Sequence, residues 1–201
     1  MTSKLIVNSL RHTGASSDAI TMDASGNVTF PGNVTCSGTA SGFGGVTVVD
    51  NWYINSAISV GSGTNTLTAN WERGTSAQFG SIGSAMTQSS GIFTFPSTGI
   101  YYCSINGSFY RGTGDRRYIG FTIQTTTDNS SYSNVTSNYD SISGDTNSNT
   151  YAHVTSTAVF DVTNTSTHKV RFQTEAVDTG ISITDVAGRY LNVLFIRLGD
   201  T

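Results

Sequence analysis

Short runs of alternating apolar and polar residues, separated by clusters of Gly, Ser, Asn and Thr, recur along the chain and constrain its fold most strongly. In a strand, such alternation places successive side chains on opposite faces of a sheet. Leucine is scarce, with 6 residues, whereas valine and isoleucine together number 29. Because β-branched residues favour strands and leucine favours helices, we predict an all-β protein.

Three runs show this alternation with one apolar face each, at residues 117–124, 157–163 and 169–173. Turn-forming clusters at 61–65 and 143–149 separate such runs, at the spacing of a sandwich or barrel. The side chains that we expect to face the core from these runs are Ile119, Phe121, Ile123, Ala158, Phe160, Val162, Val170 and Phe172.

Two further strands, at 101–110 and 190–198, carry apolar or aromatic side chains on both faces. One face of each strand fills the core, with Tyr101, Cys103, Ile105, Phe109, Leu191, Val193 and Phe195. The opposite face carries Tyr102, Tyr110, Tyr190, Leu194, Ile196 and Leu198, which we predict to be a subunit interface because aromatic and small polar residues are typical of interface cores. The alternative is that loops of the same chain cover this face.

Residues 1–45 differ from residues 46–201, and we treat the two parts as separate domains. The tetrapeptide Gly-Asn-Val-Thr occurs twice, at 26–29 and 32–35, and a glycine-rich joint follows at 42–45. Each repeat has too few apolar residues to bury a face alone, so we expect it to stack on other copies. Three copies around a common axis satisfy this need, although the sequence does not determine the number. We therefore predict a short N-terminal β shaft.

Composition excludes several classes of protein. The net charge is −3 and only 11% of residues are charged, so no basic surface is available for nucleic acid. No apolar run approaches the roughly 18 residues of a membrane span. Only Leu5, Ile6 and Val7 follow Lys4 as an apolar run, which is short for a secretory signal. We expect assembly in a cytoplasm, and therefore no disulfide between the two cysteines, Cys36 and Cys103.

Catalytic and metal-binding motifs are weak. Glu72 and Glu175 are the only glutamates. A glycosidase needs a close pair of carboxylates, which these two residues would have to supply. The simpler expectation is that Glu72 forms a surface ion pair with Arg73. Cys103 with His153 would need a contact that the sequence does not show. The oxygen-rich run 145–149 lacks the glycine and the glutamate that complete a calcium loop. We predict no enzyme, no metal and no cofactor.

Two segments are candidate ligand-binding surfaces. Arg111, Arg116 and Arg117 cluster at a predicted hairpin tip, which suits an acidic glycan or a neighbouring protein, or else is a solvated loop. The polar stretch 125–150 includes Tyr132 and Tyr139, and its mixture of Tyr, Ser, Thr and Asn suits carbohydrate or epitope recognition. The alternative for that stretch is a flexible loop.

Residues 91–102, Gly-Ile-Phe-Thr-Phe-Pro-Ser-Thr-Gly-Ile-Tyr-Tyr, resemble the C1q/TNF-like pattern in which a Phe-Thr pair, a Pro-containing turn and Gly-x-Tyr-Tyr enter a central strand. The resemblance assigns a turn to Gly99 and a core position to Tyr101. It also likens residues 157–172 to a late hairpin and 191–198 to the final strand, which lines the trimer axis. It implies a ten-strand jelly roll that packs as a compact homotrimer.

The first 45 residues resemble the N-terminal regions of structural proteins of tailed bacteriophages, where Ser-Gly-Asn-Val-Thr repeats follow an opening such as residues 5–10. This resemblance implies a non-enzymatic virion protein, a fibre or capsid decoration, located on a particle that is assembled in the host cytoplasm. Attachment residues would be Leu5, Ile6, Val7 and Leu10. The implied partners are further copies of the chain, other virion proteins, and a host surface glycan or protein. The alternatives are a non-viral C1q/TNF-like binding module and a fibre-borne glycan hydrolase.

Overall fold

The structure, a computed structural model, describes residues 7–32, 34, 45–111, 114–145, 149–183 and 189–201. All regular secondary structure within these ranges is β, which confirms the predicted class. No helix in the described part of the chain is long and apolar enough to cross a membrane. The chain divides into two compact units, Met1–Phe43 and Gly44–Thr201, and we call the second unit the head.

The first unit contains a small antiparallel sheet. Its strands are β1 (Ser9–Leu10), β2 (Ile20–Met22) and β3 (Val28–Thr29). Asp23 closes the turn between β2 and β3, where its carboxylate accepts hydrogen bonds from the backbone and side-chain amides of Asn27 at 2.9 and 2.7 Å. Leu10, Val28 and Phe30 are exposed, so this sheet does not enclose an apolar core of its own.

The head is a sandwich of two antiparallel sheets. The β10 sheet contains β4 (Val49–Ile54), β5 (Ile58–Val60), β7 (Trp71–Arg73), β10 (Gly99–Arg111), β13 (Thr150–Val162), β15 (Ile181–Ile183) and β16 (Leu191–Gly199). The β11 sheet contains β6 (Gly63–Thr66), β8 (Thr87–Ser89), β9 (Ile92–Thr94), β11 (Arg116–Thr126), β12 (Ser133–Ile142) and β14 (Lys169–Ala176).

The strand order in the described head is that of a ten-strand jelly roll with short additions. One row runs β13–β10–β16–β4–β7, and the other runs β12–β11–β14–β9–β8. Of the short strands, β15 pairs with β10 at Tyr110, β5 pairs with β15, and β6 lies beside β14. This order agrees with the ten strands that the C1q/TNF-like resemblance implies.

Two predicted hairpins are wrong. Residues 157–172 do not form one, because β13 pairs with β10 whereas β14 pairs with β11. The predicted arginine-bearing tip joins β10 to β11, which also belong to different sheets. In each case the alternating pattern identified a strand with one buried face, but this pattern is the same whether the next strand pairs with it or crosses to the other sheet.

The polar stretch 125–150 is also more regular than a flexible loop. Ten of its residues form β12, which pairs antiparallel with β11 along most of its length. Most side chains of β12 are exposed because it is an edge strand. Polar composition therefore reflected an open edge of the sheet and not an absence of secondary structure.

The core lies between the sheets and is rich in aromatic rings. The Phe93 ring packs against those of Trp52, Trp71, Phe172 and Phe195 at centroid distances of 5.5, 5.2, 5.6 and 5.3 Å. The side chains predicted to face the core are buried, except for Phe160, which is half-buried. Cys103 is a free, buried thiol, and Cys36 lies outside the described residues.

The entry to β10 has the geometry that the resemblance implies. Gly99 has φ +139°, and a Cβ atom there would lie 2.5 Å from the carbonyl oxygen of Gly199, so only glycine fits. Tyr101 is fully buried, and its hydroxyl donates a hydrogen bond to the carbonyl oxygen of Ser97 at 3.1 Å. Both expectations are confirmed.

A buried carboxylate ties the edge of the β10 sheet together. Asp50 Oδ2 accepts hydrogen bonds from Trp52 Nε1 at 2.9 Å and from the Met86 N–H at 2.8 Å, and Oδ1 accepts one from Arg73 Nε at 2.6 Å. The predicted ion pair of Arg73 with Glu72 is therefore wrong. Arg73 turns toward Asp50 because a buried carboxylate needs a charged partner more than an exposed one does.

Candidate binding surfaces

The face of the β10 sheet that points away from the core carries an apolar row near one end. Tyr102 pairs with Val159 on one side and with Ile196 on the other, and Ile196 pairs with Val49. Leu194 lies in the next row, between Ser104 and an asparagine of β4. We call this surface the outward face.

The centre of the outward face is polar and internally hydrogen-bonded. Asn106 and Asn192 lie opposite each other, and each donates its side-chain amide to the other's oxygen, at 2.6 and 3.1 Å. The paired amides satisfy each other's polar groups without water, as a surface that becomes buried requires.

A tyrosine ladder occupies the other end of the outward face. The ring of Tyr151 lies 6.1 Å from that of Tyr110 and stacks on Tyr190 at 6.4 Å. Tyr151 is 58% exposed and Val159 is 59% exposed, so the described residues leave both ends of this face open. The alternation of β13 places Tyr151 and Val159 here, although the sequence interpretation did not select them.

The residues predicted to form the interface are distributed over this face. Tyr102, Tyr110, Leu194 and Ile196 are half-buried on it, and Tyr190 joins it through Tyr151. Leu198 is exposed and lies at a β-bulge, since the register shifts between Ile100 paired with Gly199 and Tyr101 paired with Arg197.

The three arginines predicted to bind an acidic ligand do not form one cluster, because two of them contact the same turn and the third does not. Arg111 Nη1 donates to a carbonyl oxygen in the β14–β15 turn at 2.8 Å, and Arg116 Nη2 lies 3.1 Å from Asp178 Oδ2 in the same turn. Arg117 instead lies over the Tyr118 ring, 5.8 Å from its centroid. Arg111 and Arg116 therefore brace a turn between the sheets.

Tyr139 belongs to a pocket on the outer surface of the β11 sheet. Its hydroxyl donates a hydrogen bond to Glu175 Oε2 at 2.7 Å, and its ring stands at 84° to that of Tyr118, with centroids 5.7 Å apart. The hydrogen bond with Glu175, together with burial, raises the pKa of Tyr139. These three residues line a cavity of about 410 Å³.

Tyr132 is separate from this pocket. Its ring packs beneath the Arg171 guanidinium, with 3.9 Å between the ring centroid and Cζ. Arg171 also donates from Nε to Gln124 Oε1 at 2.7 Å. Because Arg171 precedes Glu175 by four residues on β14, the two sites are about 13 Å apart along the strand.

The carboxylate pair that a glycosidase would need is not brought together within the described residues. Glu72 lies on β7 of the β10 sheet, where Tyr53 and Asn55 donate hydrogen bonds to it at 2.6 and 3.0 Å and lower its pKa. Glu175 lies on the β11 sheet with different partners. No group of three or more His, Cys, Asp or Glu side chains is arranged for a metal in these ranges.

Cys103 and His153 lie on opposite faces of the β10 sheet. Burial raises the pKa of the Cys103 thiol to about 12, whereas His153 is exposed and near Ser108, with 3.3 Å between Nδ1 and Oγ. A nucleophile and its base must be within hydrogen-bonding reach, and this pair is not.

The predicted attachment residues are only partly described. Leu5 and Ile6 lie outside the described residues, as do Asn33 and Thr35 of the second Gly-Asn-Val-Thr repeat. Val7 is half-buried, and Leu10 is exposed on β1. The first repeat contributes its Val-Thr pair to β3.

No protein-family model matches the chain, and no curated protein sequence matches it. Among solved structures, Eiger TNF from S. frugiperda is similar with a TM-score of 0.58 and 12% identity, over 77% of this chain and 94% of that one. Murine APRIL at pH 5.0 and at pH 8.5 is similar with TM-scores of 0.52 and 0.50 and identities of 12% and 13%, over 75% of this chain and 98% of each APRIL chain. At such identities the similarity concerns the fold alone, and the chain has a TNF-like jelly-roll fold.

Proposed function

We propose that this chain is a non-enzymatic structural and binding protein that assembles as a homotrimer through the outward face of the β10 sheet. The observation that carries the proposal is the apolar row of Val49, Ile196, Tyr102 and Val159. In a single chain Val159 is exposed and the other three are only half-buried. Contiguous apolar patches of this kind mark interaction sites. The self-paired asparagines beside it are compatible with burial.

The number of copies follows from the family resemblance. The C1q/TNF-like pattern in residues 91–102 implies three subunits around an axis lined by the final strand, here β16. The TNF-like fold of the head supports this comparison, and β16 supplies Leu194 and Ile196 to the outward face.

We assign the chain to a bacteriophage virion, as a fibre or capsid decoration whose first 45 residues attach to other virion proteins. The phage-like repeats support this assignment, and so do the exposed apolar side chains of the small N-terminal sheet, Leu10, Val28 and Phe30. A sheet with little core of its own is stabilised when it packs against other chains. The head would then project toward a host surface.

A second candidate is a C1q/TNF-like binding module that belongs to no virus, which the fold of the head favours equally. Immunogold labelling of purified phage particles with an antibody to the head distinguishes the two. Regular labelling of a tail or capsid supports the virion assignment. If intact particles of a phage that encodes this chain are not labelled, the virion assignment is contradicted and the non-viral binding module is the remaining candidate.

Substitution of Ile196 by Asp tests the interface. Burying three uncompensated carboxylates near an axis costs several kcal/mol, so the I196D protein is expected to sediment as a monomer. Val135→Asp is the matched control, because Val135 is an exposed apolar residue on β12 of the other sheet. A trimeric I196D protein, or equal dissociation of both variants, would contradict the proposed interface.

A further inference from the structure

We propose that the pocket formed by Tyr118, Tyr139 and Glu175 on the outer surface of the β11 sheet binds a neutral saccharide. This inference rests on the proposed binding function of the head and gives it a ligand class. The pocket lies on the sheet opposite to the one that carries the proposed trimer interface.

A glycine on β11 allows the Tyr139 ring to reach the pocket. Gly120 of β11 pairs with Tyr139 of β12 on one side and with Glu175 of β14 on the other. A Cβ atom at Gly120 would lie 2.1 Å from the carbonyl oxygen of Asn138, so no larger residue is accommodated. The Tyr139 ring uses the space that the missing side chain leaves, because its Cδ1 atom would lie only 2.5 Å from that Cβ atom. The ring can therefore cross β11 and bring its hydroxyl to Glu175 on the far side.

The walls suit the apolar face of a sugar ring. The two tyrosine rings are nearly perpendicular, at 84°, and Tyr139 is 47% exposed. The cavity volume of about 410 Å³ falls within the range of roughly 300–1,000 Å³ for small-molecule sites. Rigid tyrosine rings offer a large planar surface to C–H groups at little entropic cost.

The floor supplies acceptors for hydroxyl groups. Glu175 Oε2 already accepts the Tyr139 hydroxyl at 2.7 Å, which fixes the orientation of the carboxylate. An ionised carboxylate has about four lone-pair sites, so acceptor capacity remains for sugar hydroxyls. Hydrogen bonds to a charged acceptor are roughly twice as strong as neutral ones.

The charges around the pocket favour a neutral ligand. The Glu175 carboxylate disfavours an acidic sugar, and the Arg117 guanidinium, which lies 5.8 Å from the Tyr118 ring centroid, disfavours a cationic group on the same ring. Each charge disfavours one class of charged ligand, so a neutral ligand is favoured over both.

Saturation-transfer NMR on the full chain tests this site. The probes are the methyl glycosides of glucose, galactose, mannose and N-acetylglucosamine, with N-acetylneuraminic acid and tetramethylammonium as charged comparators. At least one neutral glycoside is expected to bind. Tyr139→Ala should abolish the signal, and Glu175→Gln should weaken binding by about tenfold or more, the effect of losing hydrogen bonds to a charged group.

Glu72→Gln is the matched control, because Glu72 also accepts a hydrogen bond from a tyrosine hydroxyl but lies on the other sheet. The E72Q protein should bind the glycoside with the affinity of the unmodified chain. The proposal is overturned if no neutral glycoside binds, if Y139A and E175Q bind normally, or if only a charged probe binds. Measuring the mass of the same samples distinguishes failure of this proposal from failure of the proposed trimer. A monomer that binds sugar contradicts only the proposed trimer, and a trimer that does not bind sugar contradicts only the proposed saccharide pocket.

Discussion

Asp50 is a fully buried carboxylate that accepts three hydrogen bonds, from side chains and backbone of three separate segments. Replacing it by Ala leaves the Trp52 and Met86 donors unpaired and removes the partner of Arg73. Breaking a buried ion pair costs about 3 kcal/mol or more, and we expect D50A to lower the free energy of unfolding by about that amount. Urea denaturation at a fixed protein concentration measures it.

Asp18→Ala is the control for this substitution. Asp18 forms an exposed ion pair with Arg11 at 3.9 Å, and exposed pairs contribute about 0–1 kcal/mol. If D50A unfolded at the same urea concentration as D18A, the buried network would not stabilise the head.

The sequence shows the position of Asp50 but not its partners. The alternation of residues 49–54 puts Asp50 on the same face as Trp52 and Ile54, which reads as a conflict, since a carboxylate is unfavourable in a core. Arg73 and Met86 resolve the conflict, and they are 23 and 36 residues away. Only the pairing of β4 with β7 brings Arg73 within reach.

Cys103 should be chemically inert in the folded protein. Burial raises its pKa to about 12, and the thiolate is the reactive form, so at pH 8 almost none of it is available. In a Cys36→Ser chain, a thiol reagent such as DTNB should label Cys103 only after denaturation. Rapid labelling of the native C36S protein at pH 8 would show that the thiol is accessible.

At the scale of strands, the sequence predicted which residues lie on which face better than it predicted which strands are neighbours. Ile119, Phe121 and Ile123 are all buried as expected, because a side chain's face depends only on local alternation. The partners of β13 and β14 depend on contacts between residues 39 to 63 positions apart along the chain. No local pattern contains that information.

The β11–β12 turn should loosen in acid. Backbone hydrogen bonds from Ser131 and Ser130 and a side-chain bond from Thr126 stabilise the ionised Asp128 carboxylate and lower its pKa from the ordinary 3.8. The unfolded chain therefore binds a proton more readily than the folded chain, so stability falls as the pH drops below about 4. The contribution is fully present at pH 7.

Asp128→Asn tests this dependence. The difference in urea midpoint between the unmodified chain and D128N should be largest at neutral pH and should shrink as the pH falls below 4. An equal difference at pH 7 and pH 3 would mean that the charge of Asp128 does not stabilise the turn.

For the candidate site residues too, local sequence predicts individual side chains but not which of them are neighbours. Composition alone predicts Tyr139 as a ligand-binding residue, and its side chain is exposed. Composition does not predict the other residues of this site, Tyr118, Gly120 and Glu175. Glu175 is far from Tyr118 along the chain, and Gly120 has no side chain that a binding motif would show. Only the registers of β11 with β12 and β14 place them in one pocket.

At the scale of the whole molecule, the two-sided strands β10 and β16 remain the strongest argument for assembly. Their inner faces fill the core with Tyr101, Ile105, Leu191 and Phe195. Their outer faces are mostly half-buried or exposed in a single chain, with the apolar row at one end and the tyrosine ladder at the other. The paired asparagines lie between the two ends. A monomer would leave the apolar row in contact with water, and exposed apolar patches of this kind mark interaction sites.

Light scattering on the purified full-length chain tests the central claim most directly. The account predicts a mass of three times 21.2 kDa, and a shortened chain that starts at Val46 should still be trimeric, because the proposed interface lies in the head. If the shortened chain is a monomer while the full-length chain is a trimer, the first 45 residues and not the head hold the trimer together. A monodisperse full-length species of 21.2 kDa would contradict the proposed homotrimer outright.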